Sequence, residues 1–152
     1  GNYELQYVTL SLVVITLVVS TIKMKLNWIR VVLVVALGIV VDFTNMTFGL
    51  LQFQYEYFPL WLLALWLIFA WYAYFLYPIV SQYPLTIVSM VGGIGGALSY
   101  VAGESLGAVS FGVSNITIVS ILLVEWTLII AWILKVYGYE VRSNNNSVPS
   151  AD

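Results

Sequence analysis

The chain has 152 residues, 62% of them hydrophobic and only 8% charged, with a formal net charge of −2. A soluble domain averages about 45–50% apolar and ~25% charged residues, so a chain of mean hydropathy +0.99 carries far more apolar surface than a water-soluble fold of this length can bury. Cysteine and histidine are both absent, which excludes disulfides, thiol nucleophiles, imidazole-ligated zinc or haem, and histidine proton shuttling.

Roughly 17–25 consecutive apolar residues cross a bilayer as a helix, and five segments fit that pattern. The first, about Leu5–Ile22, follows acidic Glu4 where a signal peptide would carry positive charge, so it reads as a retained helix. The opening at Gly1 without an initiator Met is expected of a processed or trimmed product. Lys23, Lys25, Asn27 and Arg30 separate this span from the second, Trp28–Leu51. Gln52, Gln54 and Glu56 precede the third, Pro59–Val80, whose leading proline suits a first helical turn. Pro78 and Pro84 bracket a tight turn through Ser81 and Gln82, and the fourth span, Pro84–Ala102, ends in a Gly-rich stretch from Gly103 to Gly112. The fifth is Asn115–Tyr137. The expected fold class is therefore all-α: a polytopic membrane protein with about five transmembrane helices, residues 1–140 forming one membrane domain. The tail, 141–152, is polar and low in complexity and is expected to be disordered.

Orientation follows from the cations. Lys23, Lys25 and Arg30 place the first loop in the cytoplasm, and counting forward puts Lys135 and Arg142 on the same side. The expected topology is N-terminus outside and C-terminus inside, in a bacterial inner membrane. Trp28, Trp61, Tyr55, Tyr57, Tyr77, Tyr83, Trp132, Tyr137 and Tyr139 fall near span ends, as an aromatic belt does.

Two acids lie inside spans, Asp42 and Glu125. A charged side chain at the bilayer centre costs at least ~2.5–3.5 kcal/mol on insertion scales, so each must be neutral, paired or beside a wet cavity. Asn45 shares the helical face of Asp42 at i+3, and both acids lie about 18–21 Å from the cytoplasmic ends of their helices at ~1.5 Å per residue. Asp42, Asn45 and Glu125 are thus the candidate polar intramembrane pocket, with Asp42 expected to hydrogen-bond a neighbour such as Asn45. The bland alternative is that these groups merely fix helix packing. In the fourth span Gly92 and Gly96, Gly93 and Ala97, and Gly95 and Ser99 follow small-xxx-small spacing. That spacing lets helix backbones approach closely, so Gly92, Gly93, Gly96 and Ser99 are the expected helix-packing residues. The aromatic run from Trp61 to Tyr77 reads mainly as lipid-facing and belt positions, a stacking site for an isoprenoid, carotenoid or sterol being the functional alternative.

The run PLWLLALWLIFAWYAYFL followed by GGIGGALSYVAGESLGAVSFG resembles the bacterial inner-membrane family catalogued as domain of unknown function 2878, over roughly Ile29 to Tyr137. In that family a similar Leu/Trp-rich span precedes a Gly-rich stretch, and Asp42 falls where an acidic residue tends to stand. The chain departs from the pattern at Val101, where the family often has Trp, and at Tyr72 and Tyr74, where it often has Asn or His. Members usually carry another N-terminal helix. The resemblance implies a polytopic bacterial membrane protein and no particular activity.

Three functions compete. The first is an accessory or binding subunit that holds a lipid or a partner membrane protein. The second is a small transporter or proton/cation pathway using Asp42 and Glu125. The third and least favoured is a lipid-modifying enzyme, since no catalytic set is recognisable. No cofactor or metal is expected, and the expected partners are membrane lipids, another membrane protein or a second copy of the chain, with no nucleic acid.

Overall fold

A computed structural model describes residues 3–24, 26–53 and 59–138. Lys25, Gln54, Tyr55, Glu56, Tyr57, Tyr139, Arg142 and the polar tail lie outside the described residues, as do the expectations that rest on them. The elements are α1 (Tyr3–Met24), α2 (Trp28–Thr47), β1 (Leu51–Gln52), α3 (Leu60–Val80), α4 (Leu85–Ser105), β2 (Ser110–Phe111) and α5 (Asn115–Val136). All five helices are long and apolar enough to cross a membrane. The fold is that of a polytopic helical membrane protein, and Val8, Leu12, Ile15 and Ile22 on α1 point outward because the surrounding solvent is lipid.

Local chemistry sets the helix ends. The Asn27 side chain caps α2 by accepting from the Ile29 and Arg30 N–H groups at 3.1 and 3.3 Å. α2 stops at Thr47, short of Leu51, because Gly49 takes φ 69°. Gly49 N–H then donates to Met46 O at 3.0 Å and Leu50 N–H to Asn45 O at 2.9 Å, a left-handed C-terminal cap. α4 passes through Gly103 to Ser105 before the same device closes it at Gly107, φ 71°, with Ala108 N–H donating to Gly103 O at 2.9 Å. The Gly-rich stretch is therefore helix, cap and strand in succession and not one break.

These two caps lie at the same end of the bundle, and the chains leaving them pair. β1 and β2 run antiparallel with Leu51 opposite Phe111 and Gln52 opposite Ser110. Gly112 N–H donates to Leu50 O at 3.1 Å, and a side chain at Gly112 would strike the Gly49 carbonyl. Leu51 and Val109 are buried beneath the ribbon. At the opposite end α3 continues two residues past Pro78, which the last helical turn tolerates at the loss of one donor. Ser81 Oγ and Gln82 Nε2 both donate to Pro78 O, at 3.2 and 3.3 Å.

The helices pack in two groups. α3 lies against α1 and α2, while α4 lies along α5. The close α4–α5 approach depends on absent side chains: a Cβ at Gly92, Gly93 or Gly96 would run into Ile130, Thr127 or Trp126 respectively. Gly95 and Ser99, at the same spacing, do not join that contact. Both are exposed, and a Cβ at Gly95 would meet nothing within 4 Å.

Candidate functional site

Asp42 on α2 is 1% exposed and Asn45, one turn on, 2% exposed. Asp42 does not bond Asn45 as the i+3 spacing suggested. Its Oδ2 accepts from Trp66 Nε1 on α3 at 2.6 Å, and its Oδ1 accepts from the Tyr100 hydroxyl on α4 at 2.5 Å. Asn45 Nδ2 instead donates to Glu125 Oε2 on α5 at 2.8 Å. At ~3.6 residues per turn the two side chains stand about 60° apart around α2 as well as about 4.5 Å apart along it, and Asp42 meets α3 and α4 while Asn45 meets α5. Four helices are thereby linked through side chains of α2.

Aromatic rings surround this network. Trp66 and Trp126 stack with centroids 5.2 Å apart and planes 4° from parallel. Phe69 meets both edge-on, at 5.7 and 5.5 Å, and Tyr100 lies 6.1 Å from Trp126. Gly38 makes room for the stack, since a Cβ there would collide with the Trp66 indole, as one at Gly96 would with that of Trp126. Burying an indole N–H and a phenol in an apolar core calls for an acceptor, and Asp42 is that acceptor. Trp66, Tyr100, Trp126 and Gly38 are absent from the residues singled out by sequence. Trp66 read as one of many membrane aromatics, yet it is 2% exposed.

Behind this wall a cleft of about 750 Å³ opens between α3 and α4, floored by α5. Trp66, Phe69, Tyr72, Gly95, Ser99, Tyr100, Trp126 and Tyr137 are among the lining residues, and neither Asp42 nor Glu125 is. Ser99 Oγ is turned back onto its own helix, donating to Gly96 O at 2.6 Å. From Leu65 to Val80 along α3 is about 22 Å, and from Ile87 to Tyr100 along α4 about 20 Å, at ~1.5 Å per residue. The cleft thus extends about two-thirds of the way across a hydrocarbon core ~30 Å thick. Toward the α3–α4 turn the lining includes Tyr77, Tyr83 and Tyr137. Tyr137 donates its hydroxyl to Ala70 O at 2.9 Å. Among the described residues no group of His, Cys, Asp and Glu is arranged to hold a metal ion.

A bundle of apolar helices, tied internally by a carboxylate and slit by an apolar cleft, defines a small multi-pass membrane protein. The chain belongs to the family described as "Protein of unknown function (DUF2878)", whose model matches residues 2–132. That match takes in the whole Asp42 network and most of the cleft. No curated protein and no solved structure matches the chain.

Proposed function

We propose that the protein is a membrane-embedded binding subunit that holds the hydrocarbon chain of a lipid in the cleft between α3 and α4. The observation that carries this reading is the shape and chemistry of the cleft: about 750 Å³, within the ~300–1,000 Å³ usual for small-molecule sites, with an almost wholly apolar and aromatic lining. The cleft runs about 20 Å along α4 at ~1.5 Å per residue, a length that suits an extended hydrocarbon chain. The proposed setting is a bacterial inner membrane, N-terminus outside and C-terminus inside, as the cations Lys23, Arg30 and Lys135 favour. A proton or cation pathway has less support, because both oxygens of Asp42 are engaged by fixed donors and neither acid reaches the cleft.

The test uses the full chain in phosphatidylcholine nanodiscs, titrated with a chain alcohol brominated at its far carbon, 16-bromohexadecanol. Saturable quenching of tryptophan emission is expected, since Trp66, Trp71 and Trp126 all line the cleft. Gly95→Phe, which fills the cleft from a position where a Cβ meets nothing, should abolish the saturable part and leave the fold intact. Unsaturable quenching, equal in the two proteins, would show that the probe reaches tryptophan only through bulk lipid.

A further inference from the structure

The two intramembrane acids are satisfied to different degrees. Asp42 has a fixed donor on each oxygen and is sealed inside the bundle. Glu125 is partly exposed. Its Oε2 accepts from Asn45 Nδ2 at 2.8 Å, and among the described residues nothing donates to its Oε1. It also stands at the middle of its span, about 15 Å from Asn115 and about 17 Å from Val136 at ~1.5 Å per residue. A carboxylate at that depth is costly unless a cation or a donor meets it, and this chain supplies no such cation. All five of its basic residues, Lys23, Lys25, Arg30, Lys135 and Arg142, fall at span ends or beyond them. Arg30, on the helix that carries Asn45, is about 22 Å along α2 from it. The face that carries Glu125 is open as well. Ile121, Glu125, Leu128 and Trp132 recur at i, i+4, i+7 and i+11, which places them on one stripe of α5. Leu128 and Trp132 are exposed and Ile121 partly so. α4 covers a different side of α5, against Trp126, Thr127 and Ile130, and α2 lies mainly against α3.

We infer that this stripe of α5 docks a transmembrane helix of another protein, one that carries a single Lys or Arg at mid-span, with Glu125 as its ionic anchor. Charge complementarity selects the occupant. A second copy of this chain offers no cation at that depth, and lipid head groups stay at the interface, about 15 Å away in a hydrocarbon core ~30 Å thick. Apolar surface gives membrane helices little reason to associate, because lipid tails are as apolar as leucine, so a polar contact decides which helices pair. Asn45 acts as a positioning residue: by holding Oε2 it fixes the carboxyl and leaves Oε1 for the incoming cation. Leu128 and Trp132, one and two turns further along, give the partner helix an apolar track beside the anchor. The site is separate from the cleft, whose lining includes none of the four residues of the stripe.

The experiment reconstitutes the full chain in phosphatidylcholine vesicles with tryptophan-free Leu/Ala peptides long enough to span them, each dansylated at one end and bearing Lys, Gln or Leu at its centre. Energy transfer from the tryptophans of the chain reports association. The central-Lys peptide should reach half-maximal transfer at a peptide-to-lipid ratio about tenfold lower than the Leu peptide, the difference that one charge-assisted contact supplies. The Gln peptide should fall between them. Moving the Lys seven residues toward either end, about 10 Å, should remove the advantage. Glu125→Gln, whose amide oxygen still accepts from Asn45, should bring the Lys and Leu peptides within about twofold. A Lys peptide no tighter than the Leu peptide, a Gln peptide as tight as the Lys peptide, or a preference that survives Glu125→Gln would each overturn the proposal. Self-association of the chain that disappears with Glu125→Gln would also overturn it, by giving the face to a second copy. The peptide series is read on the unaltered chain, so it decides the matter even where the variant fails to fold.

Discussion

Removing the acceptor at Asp42 isolates the worth of the network. Asp42→Ala strands two buried donors, the Trp66 indole N–H at 2.6 Å and the Tyr100 hydroxyl at 2.5 Å. Hydrogen bonds between membrane helices average about 0.6 kcal/mol and reach ~1.7, so losing both should cost about 1–3 kcal/mol. The cost of carrying an acid into the bilayer does not enter, provided that unfolding is followed within a micelle, where the reference state is also apolar. The assay is an SDS titration in mixed micelles, with helix content and tryptophan emission as probes. A double-mutant cycle of Asp42→Ala with Tyr100→Phe should show a coupling of about 0.6–1.7 kcal/mol. The same cycle with Trp71→Phe, which breaks a 2.7 Å bond to Ser20 between α3 and α1, should be additive within about 0.5 kcal/mol. Asp42→Asn should fall between wild type and Asp42→Ala, since its oxygen still takes the indole proton while its amide makes Tyr100 rotate and accept. Zero coupling between Asp42 and Tyr100, or a coupling as large with Trp71, would refute the cross-tie.

Two further outcomes follow from neighbouring features. Gly96→Leu and Gly95→Leu should separate sharply in detergent stability. The first drives a side chain into Trp126 and should cost ~1–3 kcal/mol or more, whereas the second enters open space and replaces a helical glycine at no packing cost. Equal losses in a thermal or SDS scan would mean that α4 is rotated from the position described. A reporter active only in the cytoplasm should give signal when fused after Arg142 and none when fused before Gly1, and the reverse pattern would sink the charge argument for orientation.

The five helices were legible because lipid selects long apolar runs, and each run of this chain is bounded by charge, proline or glycine. The interior acids were legible for the same reason, since Asp42, Asn45 and Glu125 stand out against apolar neighbours. Their partners were not. A membrane helix is apolar on all sides, so periodicity carries little information on which face turns inward, and Trp66 is indistinguishable by pattern from the half-buried Trp61 beside it. Small-residue spacing marked a face of α4 but could not say what lies against it: Gly92, Gly93 and Gly96 meet α5, while Gly95 and Ser99 make no such contact and are exposed along the cleft. The ribbon of β1 and β2 left no trace, because two residues per strand are too few to show alternation.

The position of Asp42 accounts for why the cleft exists. α3 and α4 are neighbours in sequence, yet their main packing partners are α1 and α2 on one side and α5 on the other. They are joined covalently at one end by the short turn through Ser81 and Tyr83. Near the other end they are joined again, this time through one carboxylate that takes Trp66 from α3 and Tyr100 from α4. The cleft is lined by residues of both helices between these two ties. The cleft lies between α3 and α4, with α5 residues Ile130, Ile133 and Leu134 along its floor. That geometry gives the buried acid a purpose needing no counter-ion and no proton transfer. Its two acceptor oxygens hold an indole and a phenol that apolar packing alone would leave unsatisfied, and those same rings line the cleft.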